Sequence, residues 1–354
     1  MKQPRIITVD QLLSQWQSFD TILDARTPAE YAEDCLPGAL NAPVLSDQQR
    51  IDIGTLYKQV SAFEAKKRGA ALSARNIADY IEQHCIDKPR EWKPLIYCWR
   101  GGNRSGSLAI VLAQIGFPVS QLEGGYKAFR TRVLADLETL PQPFTFTVLC
   151  GTTGSGKSRV LQALANLGEQ VLDLEELAHH RGSVLGPIPD HPQPSQRQFE
   201  TRIWSTLKHF DPSRPVYVEC ESKKVGNVRV PDALMDRVRQ GRCITLQTDL
   251  DTRVALLRQD YPHWQNDPDW LRNRLQALVA TAGHERVDAW ITLATNGQWN
   301  ELVSDLLVTH YDPAYTKSIA RNFIHQSSAV AVPLTGTDAQ STLDCAHAVR
   351  TALA

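Results

Sequence analysis

An α/β chain with two parallel-sheet domains is what this sequence predicts, on three observations. A short apolar run, Pro94-Leu95-Ile96-Tyr97, reads as a buried strand that enters a polar, glycine-bearing loop; an apolar helix pattern from Leu108 to Ile115 follows. A second run, Phe144-Thr145-Phe146-Thr147-Val148-Leu149-Cys150, is a strand by its β-branched and aromatic content, and it too enters a glycine-rich loop and a helix. Between them Glu138-Thr139-Leu140-Pro141-Gln142-Pro143 has two prolines close together and reads as a linker. The 354 residues therefore divide into a domain over 1–137, a linker over 138–143, and a domain over 144–354 that ends in a helical region.

Taken in order, Thr8-Val9-Asp10-Gln11 caps a short helix, and Thr21-Ile22-Leu23-Asp24 is a short buried strand ending in an acid. Residues 45–90 have helical periodicity and carry the basic run Lys66-Lys67-Arg68, which can touch nucleic-acid phosphates but more often marks a solvated helix face. Cys98 then stands at the tip of a strand, at the mouth of Trp99-Arg100-Gly101-Gly102-Asn103-Arg104-Ser105. Backbone N–H groups of such a loop converge, and the next helix points its positive end at the same spot. Thiolate is favoured over thiol in those surroundings. Arg100 and Arg104 add positive charge if their side chains turn inward. The competing reading, a buried structural cysteine, fits the polar residues on its far side less well.

In the second domain, Gly151-Thr152-Thr153-Gly154-Ser155-Gly156-Lys157-Ser158 fits G-x-x-x-x-G-K-[ST] between a strand and a helix, the context a phosphate-binding loop requires. Its glycines let N–H groups face phosphate oxygens, Lys157 adds a point charge, and Ser158 can ligate Mg2+. Gln170 to Leu177 reads as a second strand feeding a helix. His179-His180 has no companion at zinc-ligand spacing. Pro215 to Ser222 is a further strand whose Glu219 and Glu221 are either a metal partner or ordinary strand-end carboxylates; Lys223, Lys224 and Arg181 are tentative phosphate partners. Trp264, Trp270 and Trp290 sit in helical patterns and read as packing residues rather than base-stacking platforms.

Composition narrows the class. Lys plus Arg is 38 against 39 for Asp plus Glu, so there is no global basic field, and any nucleic-acid partner meets a local patch. The seven cysteines form no CxxC pair and are odd in number, which points to reduced thiols in a cytoplasm. No run of about 18 apolar residues exists, so no membrane partner is expected.

Asp24-Ala25-Arg26-Thr27-Pro28-Ala29-Glu30-Tyr31, Leu36-Pro37-Gly38-Ala39-Leu40-Asn41-Ala42-Pro43, the Cys98 loop and Leu122-Glu123-Gly124-Gly125-Tyr126 together resemble the rhodanese family of sulfurtransferases over roughly residues 5–134. That resemblance implies a mostly parallel sheet and a cysteine that carries a sulfur atom. Two departures stand out. Asp34-Cys35 replaces the family's frequent Gly-His, and the C-x5-R spacing of Cys98 and Arg104 is longer than in many single-domain members, as in cysteine phosphatases. The Cys98 loop and phosphate loop in one chain, with His180-Arg181-Gly182-Ser183 and Glu219-Cys220-Glu221-Ser222-Lys223-Lys224-Val225-Gly226, resemble the bacterial tRNA 2-selenouridine synthase family. This second resemblance implies replacement of sulfur by selenium in wobble-position 2-thiouridine of tRNA, with selenophosphate and geranyl diphosphate as co-substrates and an S-geranyl intermediate. The phosphate loop would hold the diphosphate, with Mg2+, and Cys98 would carry selenium. Two rivals are a nucleotide-dependent sulfurtransferase or kinase, and a cysteine phosphatase.

Overall fold

The structure, a computed structural model, describes residues 3–183, 185–188 and 191–352. The chain forms two compact units, Met1–Asp136 and Leu137–Ala354. A helix over Gly125–Thr139 runs past that boundary, so the first two residues of the expected linker are helical.

The first unit is built on strands β1 (Arg5–Ile7), β2 (Thr21–Asp24), β3 (Ala39–Asn41), β4 (Pro94–Tyr97) and β5 (Ser120–Leu122). They form one sheet in the order β1-β5-β4-β2-β3, with every pair parallel. β4 is buried at every position, which is why it reads as a continuous apolar run rather than an alternating one. Leu108 and Leu112 of the helix Asn103–Ile115 pack with Leu23 and Ile96 of the sheet to make the core. Capping boxes start three helices, with Thr8 and Gln11, Thr27 and Glu30, and Ser46 and Gln49 each satisfying one another's N–H groups. The insertion is helical as expected, over Asp47–Gln59 and Ala62–His84. Lys66, Lys67 and Arg68 lie exposed there, with Lys67 paired to Glu64 at 2.6 Å.

Beneath the sheet's C-terminal edge lies a buried polar knot. Arg26 grips Asp24 through Nε and Nη2 and donates to the Asp34 carbonyl at 2.5 Å, while its guanidinium lies 4.1 Å from the Tyr126 ring centre. Tyr97 donates its hydroxyl to Asp24 at 2.6 Å, and Tyr126 donates to Asp34 at 2.8 Å. The knot ties strand β2, strand β4 and the glycine turn before Tyr126 into one piece.

The second unit contains strands β6 (Phe146–Cys150), β7 (Gln170–Leu172), β8 (Val216–Glu219), β9 (Lys224–Val225), β10 (Val228–Arg229), β11 (Arg242–Gln247) and β12 (Val330–Pro333). Five of them form a parallel sheet in the order β12-β11-β6-β8-β7, and β9 and β10 make a separate small hairpin. β6 is central and fully buried, and Val160, Leu161 and Leu164 of the helix Lys157–Asn166 cover it. Trp264 and Trp290 are buried among Leu271, Leu275, Leu302 and Leu306, with Trp270 packed at the edge of the same cluster, so the tryptophans are packing residues as expected. The C-terminal region is not wholly helical, however. β12 adds a parallel edge strand beside β11. Its four residues are mostly exposed and too short to show a period, so only the pairing reveals it. No helix among the described residues is long and apolar enough to cross a membrane.

The Arg26 knot yields a stability prediction. Arg26→Ala leaves the Asp24 carboxylate buried without its partner and should destabilise the first unit by about 3–5 kcal/mol in urea unfolding. An unchanged midpoint would show that the knot is not a structural support.

Candidate functional site

Two anion cradles form, one in each unit, each at the C-terminal end of a central parallel strand. In the first, Cys98 follows β4 directly and is only 3% exposed, while Arg100, Gly102 and Asn103 of its loop are exposed. The carbonyl groups of the loop are engaged from outside it. Cys98 O accepts from Tyr126 N at 2.8 Å, Trp99 O from Lys127 N at 3.0 Å, and Gly101 O from Gln121 Nε2 at 2.8 Å. Gly102 precedes the helix Asn103–Ile115 without a side-chain cap, so the first-turn N–H groups stay open to an anion. Gly125 has a positive φ of 56°, and any Cβ there would overlap the Cys98 carbonyl, which is why the two glycine-bearing loops can stack backbone on backbone.

The sulfur receives a relayed hydrogen bond. Ser105 Oγ donates to Cys98 Sγ at 3.2 Å, and Gln121 Nε2 donates to Ser105 Oγ at 2.9 Å. With one lone pair taken by Gln121, the serine shares its one proton between the sulfur and Gly102 O at 3.3 Å. Trp99 is half-buried with its ring 5.4 Å from that of Tyr126. Arg104 does not stand as an unpaired charge. Its guanidinium is clamped on Glu30 by two hydrogen bonds, because the N-terminal turn of the helix Pro28–Glu33 carries that carboxylate to it. Burial works to raise the Glu30 carboxyl, but Arg104 outweighs it and holds the group below its ordinary range. Arg100 lies at the rim, so the positive field at the thiol comes from amides and the helix end.

In the second unit, Gly151 to Ser158 connects β6 to the helix Lys157–Asn166. Gly154 and Gly156 adopt φ of 78° and 85°, and a Cβ on either would strike Leu257 or Leu334. Lys157 Nζ donates to Gly151 O at 2.7 Å and Thr152 O at 3.2 Å, and lies 5.4 Å from the Tyr315 ring centre. Three residues outside the motif brace the loop. Gly151 N donates to the Tyr315 hydroxyl at 2.6 Å, Thr248 donates to Ser155 O at 3.1 Å, and Arg253 Nε donates to Thr153 O at 2.9 Å. Arg253 is itself held by both carboxylate oxygens of Asp312, at 3.0 and 2.6 Å.

Acidic side chains gather beside Ser158. Its hydroxyl lies 3.3 Å from Glu175 Oε2; Glu219, the last residue of β8, accepts from Glu175 N at 2.8 Å through one oxygen and has no partner for the other. Burial first, then the negative charge of Glu221, pushes the Glu175 carboxyl up to about 8. Burial likewise raises Glu219 and Glu221, and takes Asp173 up to about 6. Among the described residues no group of three or more His, Cys, Asp or Glu is arranged to hold a metal by itself. Mg2+ commonly takes one or two carboxylates plus substrate phosphates and water. A Ser158 hydroxyl beside Glu175, with an orphaned oxygen on buried Glu219, fits that pattern.

The structure brings Glu219, Glu221 and Arg181 to the phosphate loop but not the two lysines. Arg181 stacks 4.8 Å over the Tyr261 ring and lines the same cavity of about 300 Å3 as Lys157, Ser158 and Glu221. Lys223 pairs instead with Asp232, and Lys224 is exposed on β9, because the chain turns away from the sheet after Glu221. Glu175, Arg253, Tyr315 and Gln121 had no motif to mark them. Of these only Glu175 carried a signal, an acid just past a strand end on the sheet's C-terminal side. His180 is buried, and burial lowers its pKa.

Comparison with known proteins matches both units. Residues 144–276 fit the family model described as tRNA 2-selenouridine synthase AAA domain, and residues 8–132 fit that of the rhodanese-like domain. A tRNA 2-selenouridine synthase of Nitrosomonas europaea is 34% identical over 272 residues, covering 74% of this chain and 68% of that protein. Those of Marinobacter nauticus and Hydrogenovibrio crunogenus are 30% and 32% identical, covering 86% and 83% of this chain and 90% and 88% of theirs.

Two measurements probe the cradles separately. Removing the donor to the sulfur in Ser105→Ala should slow alkylation of Cys98 by iodoacetamide about fivefold, read by peptide mass spectrometry, since one hydrogen bond is worth about 1 kcal/mol. An unaltered rate removes Ser105 from the site. The acids at Ser158 predict a pH effect. A carboxyl raised to about 8 holds its proton in the folded state where the unfolded chain has lost it. Its contribution to stability is therefore complete below the ordinary carboxylate range and lost as pH rises through about 8. The melting temperature should fall from about pH 5 to about pH 8, less steeply in Glu175→Gln, and a slope identical in the two proteins refutes the assignment.

Proposed function

Because the chain belongs to the tRNA 2-selenouridine synthase family and so acts in tRNA selenouridine formation, we propose that it replaces the sulfur of wobble-position 2-thiouridine by selenium in two transfers, one at each cradle. The observation that carries the reading is the pairing itself: one anion cradle holds a thiol and the other holds a lysine with acids. A thiocarbonyl sulfur is a poor leaving group, and alkylation makes it a better one. The phosphate loop takes the diphosphate of geranyl diphosphate on its N–H groups, with Lys157 released from Gly151 and Thr152 to meet it. Ser158 and Glu175, with Glu221 at the same cavity, are the residues that would hold Mg2+, which offsets charge on the departing pyrophosphate. The amide cradle of Cys98 takes the phosphate half of selenophosphate; the thiolate takes the phosphoryl group as the phosphorus–selenium bond breaks, the selenide so released adds to C2 of the base, from which geranyl thiol leaves, and water then frees phosphate from the cysteine. The net exchange needs no oxidant: the S-geranylated base, selenophosphate and water give the selenated base, geranyl thiol and phosphate. An anticodon loop is single-stranded, so its base is splayed into a site without melting a helix. In this reading the protein is a transferase of the cytoplasm with tRNA as its partner.

The test is mass spectrometry of the modified nucleoside after incubation with thiolated tRNA, geranyl diphosphate and selenophosphate. Cys98→Ala should abolish selenation and let geranylated tRNA accumulate, whereas Lys157→Ala should lower geranylation by about a hundredfold or more, as loss of an electrostatic group at a departing charge does. Selenouridine formed by the Cys98 variant overturns the assignment of that loop, and turnover of a nucleoside triphosphate without any response to geranyl diphosphate overturns that of the other.

A further inference from the structure

We propose that the apolar wall facing the phosphate loop, made by Leu257, Tyr261, Ala314, Tyr315, Ile319 and Phe323, is the seat of the prenyl chain. The inference rests on reading that loop as a diphosphate grip. The cavity of about 300 Å3 has two unlike sides. One side is the loop itself, with Arg181, Glu175 and Glu221. The other comes from the end of the helix Leu250–Asp260 and from the helix Asp312–Asn322 with the residue after it. Ile319, Phe323 and Leu257 are 4%, 6% and 8% exposed, and Ala314 stands exposed at the rim.

The chemistry of that wall favours a hydrocarbon. Among the described residues no amide side chain lines the cavity, and the one carboxylate on this side, Asp260, is taken by Arg159 at 2.6 Å. The Tyr315 hydroxyl accepts from Gly151 N at 2.6 Å, which fixes it toward the loop. A sugar laid against Ile319 and Phe323 would leave hydroxyl groups without partners, which is costly away from water. An isoprenoid chain loses nothing there and gains burial.

Position matters as much as polarity. Arg253 joins Thr153 of the loop to Asp312 at the start of the wall helix, and Tyr315 joins the same helix to Gly151. Grip and wall are therefore held at a fixed separation, as a ligand with an anionic head and an apolar tail requires. With the tail so placed, the allylic carbon lies where the two sides meet. Transfer then forms the bond from the thiocarbonyl sulfur to that carbon and breaks the carbon–oxygen bond, its electron pair leaving on pyrophosphate.

Calorimetric titration of the full-length protein with Mg2+ and geranyl diphosphate, inorganic pyrophosphate or adenosine diphosphate tests this. Geranyl diphosphate should bind about tenfold or more tighter than pyrophosphate, since several methylene and methyl groups are buried. Ile319→Asn and Ala314→Phe should each remove most of that advantage while pyrophosphate binds as before. Ala314 is exposed, so its variant stays informative if Ile319→Asn fails to fold. Equal affinity for geranyl diphosphate and pyrophosphate overturns the tail site and leaves the diphosphate grip standing. Tighter binding of adenosine diphosphate than of geranyl diphosphate, or an undiminished advantage in Ala314→Phe, also overturns it. Binding of neither pyrophosphate nor geranyl diphosphate removes the grip together with the tail site.

Discussion

Amide hydrogens without acceptors, at the point where a parallel strand gives way to a helix, are the constraint from which both sites follow. The first turn of a helix leaves N–H groups that no residue of that helix can satisfy. In each unit a central strand, β4 or β6, ends in a glycine-bearing loop just before such a turn, and no side chain caps it. Four other helices of the first unit close their N-terminal ends with Thr8, Thr27, Ser46 and Ser61. The two that lack a cap and follow a central strand are the two that leave N–H groups open beside Cys98 and Lys157. Glycine makes this possible, because Gly125 and Gly156 stand where a Cβ would strike the Cys98 carbonyl or Leu334.

An open cradle has to be stiffened from outside, and the two units do this differently. In the first, the carbonyl groups of Cys98, Trp99 and Gly101 are bonded to the segment after Gly124 and to Gln121, so the amides cannot turn outward. The buried Arg26–Asp24 pair holds that segment through Tyr126 and Asp34. In the second unit the brace is a single guanidinium, Arg253, fixed by Asp312 and spanning the loop and the helix opposite. A planar side chain with several fixed donors suits this better than a lysine, which presents one mobile point charge.

Charge is divided between the cradles in a way that fits their different tasks. The thiol is served by dipoles and one hydroxyl, while Arg104 of its loop is neutralised on Glu30. Fixed amide dipoles stabilise an anion that comes and goes without binding it as tightly as a free guanidinium would. Beside Ser158 the balance is reversed. Burial raises Glu175, Glu219 and Glu221 above the ordinary carboxylate range, and repulsion from neighbouring carboxylates adds to this in the first two, so the site is suited to a cation in place of protons.

The α/β class, the thiol loop, the phosphate loop and the packing role of Trp264 and Trp290 were all legible from residues close together in the chain. Each rests on local spacing: an apolar run of strand length, glycines at fixed offsets, or a helical period. Pairings between distant residues were not legible, because nothing in a linear pattern says which side chain will face which. Glu30 reaches Arg104 across 74 positions, Gln121 reaches Ser105 across 16, and Asp312 reaches Arg253 across 59. Edge strand β12 belongs with these, since four mostly exposed residues show no period and only pairing with β11 makes them a strand. The sequence alone determined where the two glycine-bearing loops with open amides lie, a matter of backbone geometry set by neighbouring residues. Only the tertiary structure decided which charges face those loops and which are cancelled, because that depends on how the sheets bring remote side chains within a few ångströms of one another.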